Sequence, residues 1–249
     1  MSKPARAEVW GWKLADLIQS ARAILSVSER RMEATANNVA NLTTPGFKSE
    51  KLFSDVMSEL DQRASIKQQS HHVDMAQGRM SRTGNPLDLA IGGAGFFRLI
   101  GRDGQVTYSR QGQFKLDGDS RLVTQQGLAV QSADGGDIVL PSSDVHILAD
   151  GSVVADGRSI AKLGLFQVTD ALALRPIGGS QFSIDENSIE AVRNPDLHQG
   201  MTEGSNVALA DEMVAMMEAM RAAEGGAKLI QVYDDLMGKA VNSFGQGGR

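Results

Sequence analysis

The side chains in this sequence that could do chemistry are few, and they do not converge. His71-His72 with Asp74 is the densest group of metal-ligating types. Adjacent residues of an extended segment point to opposite sides, so two neighbouring histidines do not face one ion. A metal site needs several ligands in a fixed geometry, and the pair reads instead as solvated connector. His146 and His198 stand alone in sequence. Gly92-Gly93-Ala94-Gly95 has the composition of a phosphate loop, but it lacks the Lys-Ser/Thr of a Walker motif and β-like sequence follows it. It reads as a tight turn in which Gly93 and Gly95 fit where larger side chains would clash. There is no Gly-x-Ser-x-Gly elbow. Asn41-Leu42-Thr43 matches a glycosylation sequon, a triplet common by chance. No catalytic residue, cofactor site or metal site is expected.

Composition narrows the classes further. The 249 residues contain no cysteine, which excludes disulfide scaffolds, thiol catalysis and cysteine-ligated metals. The apolar fraction of 41% is enough for a packed core. A net charge of -5 gives no electrostatic footprint for nucleic acid. No apolar run is long enough to span a bilayer as a helix, and the segment after Lys3 and Arg6 lacks the apolar core of a secretory signal.

The elements that would position these residues read as helix at both ends and sheet in the middle. Residues 14–42 hold neither proline nor glycine. Leu14, Ile18, Ala21, Leu25, Ser28, Met32, Thr35, Val39 and Leu42 alternate four and three apart, a heptad stripe. Thr44-Pro45-Gly46 stops it. A second stripe runs through Leu209, Met213, Met216, Met220, Ala223, Ala227, Ile230, Asp234, Met237, Val241 and Phe244. Ser205 or Asn206 is expected to cap that helix, with Asp211 and Glu212 favouring its dipole. Gly225-Gly226 weakens it, or lets another backbone approach. Spanning residues 206–243, it would be about 55 Å long, too long for a compact domain, so it must find partners. The helices carry opposite net charge, with Arg22, Arg30 and Arg31 on the first and Glu218, Glu224, Asp234 and Asp235 on the second, which favours pairing.

Between them, turn signals recur at Asp103-Gly104, Asp117-Gly118, Asp134-Gly135-Gly136, Asp150-Gly151 and Asp156-Gly157. Residues 96–100, 106–108, 121–124 and 163–168 read as strands of an antiparallel sandwich or barrel. Asn85-Pro86 reads as a rigid turn into the first of them. The expected fold class is α+β: long N- and C-terminal helices form a coiled-coil-like base with an inserted, mostly antiparallel β domain. The boundaries are residues 1–48 for the first helix, 49–82 for an extended connector, 83–186 for the β domain, 187–204 for a return connector and 205–249 for the second helix.

Four segments resemble the axial proteins of the bacterial flagellar rod and hook. They are Ala36-Asn37-Asn38-Val39-Ala40-Asn41-Leu42-Thr43-Thr44-Pro45-Gly46-Phe47-Lys48; Thr83-Gly84-Asn85-Pro86-Leu87-Asp88-Leu89-Ala90-Ile91-Gly92-Gly93-Ala94-Gly95-Phe96-Phe97; Tyr108-Ser109-Arg110-Gln111-Gly112-Gln113-Phe114 through Leu122-Val123-Thr124; and Glu203-Gly204-Ser205-Asn206-Val207 with the helix after it. Length, a short β domain and the stretch Ala173-Leu174-Arg175-Pro176-Ile177-Gly178-Gly179-Ser180-Gln181-Phe182 are most similar to proximal-rod members. The sequence departs from the family pattern at Ser120 (usually glycine), Thr202 (leucine), Ala223 (tyrosine) and Gly226 (asparagine).

The resemblance implies a non-enzymatic structural subunit of the proximal rod, in the periplasmic part of the basal body, polymerising helically through its terminal helices. The implied partners are copies of itself, other rod proteins including distal-rod subunits, and the flagellar type III export apparatus, which would carry it without a cleaved signal peptide. Contacts between subunits are expected at Leu25, Met32, Asn37, Asn38, Val39, Asn41 and Phe47, and at Leu209, Met213, Met216, Met220, Ile230 and Met237. Pro45, Gly46, Asn85, Pro86, Gly93 and Gly95 are expected to set structural turns. The alternatives are a distal-rod or hook subunit, a β-domain hydrolase, or a binding module on a helical stalk.

Overall fold

The computed structural model describes residues 6–52, 71–170 and 173–246. The fold is α+β, with one helix at each end and a mostly antiparallel β region between them. The chain divides into two compact units, one made of Met1–Asn37 with Leu209–Arg249, the other of Asn38–Ala208.

The first unit is helical. α1 (Arg6–Ala40) has 35 residues and α2 (Leu209–Gln246) has 38, about 52 and 57 Å at 1.5 Å per residue. On α1, the heptad positions Ile18, Ala21, Leu25, Ser28, Met32, Thr35 and Val39 are all buried or half-buried. Its two polar members are among the most buried, Ser28 at 2% and Thr35 at 5% exposure, because they are small. On α2 the packed face is rotated from the expected stripe. Ala219 and Gly226 are buried, and Ala223, Ile230 and Tyr233 are half-buried. Leu25 and Ile24 lie so close to Gly226 that a methyl group there would meet the Leu25 Cγ at 3.1 Å and the Ile24 Cγ2 at 3.3 Å. The two departures from the family pattern on this helix, Ala223 and Gly226, are small residues on its packed face.

Neither Ser205 nor Asn206 caps α2, which begins at Leu209. The Ser205 hydroxyl accepts from the Val207 amide, and Asn206 is engaged elsewhere. Asp211 and Glu212 do sit in the first turn, where they favour the dipole. At the end of α1 the amides of Asn41, Leu42 and Thr44 donate to carbonyls three residues back, tightening the chain into a turn.

The second unit holds the strands. In chain order they are β1 (Glu50–Leu52), β2 (His71–Val73), β3 (Met80–Arg82), β4 (Leu89–Ile91), β5 (Phe96–Ile100), β6 (Val106–Ser109), β7 (Phe114–Leu116), β8 (Leu122–Thr124), β9 (Ala129–Val130), β10 (His146–Ile147), β11 (Ser152–Ala155), β12 (Arg158–Lys162), β13 (Leu165–Val168), β14 (Leu174–Gly178), β15 (Gln181–Ile184), β16 (Ile189–Ala191), β17 (Leu197–Gln199) and β18 (Met201–Glu203). A nine-stranded sheet runs β14-β15-β6-β5-β9-β8-β7, with β13 on β5 and β16 on β13. β10-β11-β12 form a separate meander, and β1–β2, β4–β17 and β3–β18 are isolated antiparallel pairs. The segments read from sequence as connectors thus carry β1 to β3 on the way out and β16 to β18 on the return.

β5 explains the core. Successive side chains of a strand point to opposite faces, and both faces of Phe96-Phe97 are buried. Phe97 enters a cluster with Leu89, Leu99, Phe114, Leu122 and Val153, meeting the Phe114 ring edge-on at 5.0 Å. Phe96 enters a second cluster with Val73, Tyr108, Leu174 and Phe182, 5.6 Å from the Phe182 ring.

Candidate functional site

Among the described residues, the most concentrated chemistry is a buried group of charges that brings distant parts of the chain together. Lys48 follows the turn after α1, Arg110 follows β6, and Glu203 ends β18. Glu203 Oε1 accepts from Lys48 Nζ at 2.6 Å and from the Gly78 amide at 2.9 Å, and its Oε2 accepts from Arg110 Nε at 2.8 Å. The side chains of Lys48 and Glu203 are fully buried and that of Arg110 is 1% exposed. The remaining guanidinium N–H groups go to carbonyls: Nη1 to Gly93 and Gly95, each at 2.8 Å, and Nη2 to Gly93 at 2.8 Å and Ile91 at 3.2 Å. All five N–H groups of Arg110 therefore have partners. Lys48 also donates to the Ala76 carbonyl at 2.7 Å.

Two cations share one carboxylate in this site. Burial pulls the Lys48 ammonium below its ordinary pKa; the Glu203 hydrogen bond holds it up, and the Arg110 guanidinium lowers it further. Every hydrogen bond of the cluster ends on another part of the chain, the geometry of a structural tie. A separate recess of about 210 Å³ beside β5 is lined by Met75, Ala94, Gly95, Phe96, Gln167, Val168 and Leu174, without an acid, a base or a nucleophile. Among the described residues no group of three or more His, Asp or Glu is placed to hold a metal ion. His198 Nε2 lies 3.3 Å from Asp196 Oδ2 at the surface.

Of the turn residues, Gly46, Gly93 and Gly95 meet the tie. Gly46 has φ +70°, and its amide donates to the Glu203 carbonyl at 2.8 Å. A Cβ there would lie 2.4 Å from the Gln111 amide nitrogen and 2.5 Å from the Arg110 carbonyl carbon, so only glycine fits. The Pro45 carbonyl accepts from the Ser180 hydroxyl at 2.8 Å, and the Ser180 carbonyl from the Ser109 hydroxyl at 2.7 Å. Gly93 and Gly95 supply the carbonyls that receive Arg110. Asn85 Oδ1 accepts from the Leu87 amide at 3.2 Å, and Gln199 Nε2 donates to the Pro86 carbonyl at 2.8 Å, fastening that turn to β17.

The residues expected between subunits fall into three groups: buried, half-buried and exposed. Asn38 and Phe47 are buried inside the second unit. Asn38 exchanges two bonds with the Glu50 main chain, each 2.9 Å, and Phe47 is 3% exposed. Asn41 is half-buried, and its Oδ1 accepts from the Thr44 hydroxyl at 3.1 Å. Leu25, Met32, Val39, Met216 and Ile230 are half-buried, and Asn37 is exposed. Leu209, Met213, Met220 and Met237 are exposed, by between 41% and 57%. Val214 and Met217, equally exposed, complete an apolar face on the first half of α2, turned away from the face that holds Ala219 and Gly226.

The sequence motifs contain Lys48, Arg110 and Glu203 without pointing to a role for them, and they point to Asn206 only as a helix cap. The signal was there: each is a polar or charged residue set among turn glycines. Asn206 Oδ1 accepts from the Ser49 amide at 2.7 Å, and its Nδ2 donates to the carbonyls of Asp74 at 2.8 Å and Ala76 at 3.0 Å.

Fold and tie together define a class: a β unit inserted between two long terminal helices, its charged chemistry held in a buried structural closure. Three family models match the chain. That of the flagella basal body rod protein covers residues 20–48, that of the flagellar hook protein FlgE/F/G D1 domain 90–155, and that of the flagellar basal body rod FlgEFG protein C-terminal region 198–243. Each contains one of the three charged residues. The chain is 32% identical over 230 residues to the flagellar basal-body rod protein FlgF of Caulobacter vibrioides, covering 87% of this chain and 93% of that one. It is 29% identical over 247 residues to the FlgG rod protein of Bacillus subtilis, covering 86% and 93%, and 29% identical over 249 residues to that of Buchnera aphidicola from Acyrthosiphon pisum, covering 86% and 94%. The chain belongs to the flagellar basal-body rod protein family.

Proposed function

We propose that this chain is a structural, non-catalytic subunit of the flagellar basal-body rod, of proximal-rod type, and that it polymerises through its terminal helices. The observation that carries the reading is the double-faced first half of α2. One face packs through Ala219, Ala223 and Gly226, and the other leaves Leu209, Met213, Val214, Met217 and Met220 in solvent. An apolar face of this kind on a soluble chain marks a contact site, and methionines suit neighbours that are not identical. Copies of the same chain and other rod subunits are the partners that fit. A contact between unlike faces of successive copies does not close, and builds a filament.

In this reading the two helices form a coiled-coil-like base, residues 83–186 are the β domain, and residues 49–82 and 187–204 are its outgoing and return segments. Export would use the flagellar type III apparatus, with assembly in the periplasm. Locating a tagged chain along purified hook–basal bodies tests the reading. Label confined to the rod nearest the inner membrane supports it. Label in the distal rod or hook moves the chain to that position in the family, and absence from the particle contradicts it.

A further inference from the structure

The buried tie joins the two ends of the second unit's chain. Residues 46–49 lie against residues 203–206. The Gly46 amide donates to the Glu203 carbonyl at 2.8 Å, the Ser49 amide to Asn206 Oδ1 at 2.7 Å, and the Asn206 amide to the Phe47 carbonyl at 3.4 Å. The Gly78 amide reaches Glu203 Oε1 at 2.9 Å, and the Gly204 amide reaches the Arg79 carbonyl at 2.8 Å.

This closure is built differently from the rest of the unit. Its strand pairs, β1–β2 and β3–β18, are three residues long and stand outside the nine-stranded sheet. Its buried side chains are mostly polar or charged: Lys48, Ser49, Arg110, Thr202 and Glu203. Residues 46–49 and 201–206 enter neither apolar cluster, and the closure's apolar contribution is the buried Phe47 and Val73 of β2, which joins the second cluster. A buried ion pair fixes geometry well but adds little net stability, because desolvation offsets the attraction. Opening returns three charges to water. Regions held by few buried apolar contacts open below the global transition.

We propose that the closure is a latch: it opens as one cooperative element while the nine-stranded sheet stays folded, freeing residues 46–49 from residues 203–206. The chain continues into α1 on one side of the latch and into α2 on the other.

Native-state hydrogen exchange on the full chain in low denaturant tests this. The amides of Gly46, Ser49, Gly78 and Gly204 report the latch. The amides of Leu122, Gln131 and Val192, which donate to the carbonyls of Ile138, Arg98 and Leu165, report the sheet. The latch amides are expected to share one opening and to show protection at least tenfold lower than the sheet amides. Glu203→Gln weakens the closed state against both the open and the unfolded state, so latch protection should fall at least a further tenfold while staying at least tenfold below that of the sheet amides. Should that variant not fold, Asn206→Ala makes the same comparison without leaving a charge unpaired. A single opening that exposes both groups, in the wild-type chain or in either variant, would overturn the latch.

Discussion

Lys48 and Glu203 are 155 positions apart in the chain and 2.6 Å apart in the fold, with both side chains fully buried. The β unit thus returns the chain to the segment that follows the first helix. Removing one partner leaves the other charge buried, which costs about 3–5 kcal/mol. Glu203→Gln should therefore lower the unfolding free energy by about that amount in denaturant titration. Lys51 and Asp74 also meet at 2.6 Å, but the Lys51 side chain is 58% exposed. Lys51→Ala should cost no more than about 1 kcal/mol.

The contact of Leu25 with Gly226 separates two adjacent glycines. A methyl group at Gly225 meets nothing within 4 Å, so Gly225→Ala should stabilise α2 by about 0.5–1 kcal/mol. Gly226→Val should destabilise the helical unit, because its side chain enters space that Leu25 and Ile24 occupy. Thermal melting followed by circular dichroism at 222 nm would read both.

Ser120 has φ +61°, in the left-handed region, at a position where the family pattern has glycine. That conformation costs a non-glycine residue about 1–2 kcal/mol, whereas glycine adds about 0.4–1 kcal/mol of unfolded-state freedom. Ser120→Gly should give a small net gain in stability, visible as a higher denaturation midpoint with an unchanged slope.

Acid should weaken the β1–β2 end of the second unit through Asp74, whose carboxylate accepts from Lys51 and the Ala76 amide. The Lys51 hydrogen bond first, and the Ala76 amide next, hold the Asp74 carboxyl below its ordinary pKa. A depressed carboxylate contributes stability that is fully present above its unfolded value, about 3.9, and lost as pH falls through its folded value. The stability of Asp74→Asn should vary less with pH below about 4 than that of the wild type.

Much of the fold could be read from the sequence because local pattern carried it. The run 96–100 is apolar but for Arg98 and is β5. The α1 stripe, Ser28 and Thr35 included, matches the less exposed positions. The α2 seam misled because hydropathy favours Met213, Met220 and Met237, while close helix packing favours small residues such as Ala219 and Gly226. Asn206 looked like a helix cap, since Asn is a good one, but tertiary bonds to Ser49, Asp74 and Ala76 claim it. The tie itself was out of reach of any local pattern. Arg110 and Glu203 are 93 residues apart, and only the completed strand pairing brings them together.

The exposed face of α2 carries the central claim, that this chain builds a rod by helix contact. The direct measurement compares hook–basal bodies purified from cells that carry the wild-type chain or Met220→Asp as the only copy. Met220 is 50% exposed, so the variant should fold as the wild type does, by circular dichroism. It is expected to be missing from the particles, in cells that no longer swim. Particles holding the variant at wild-type level, in cells that swim normally, would contradict assembly through this face.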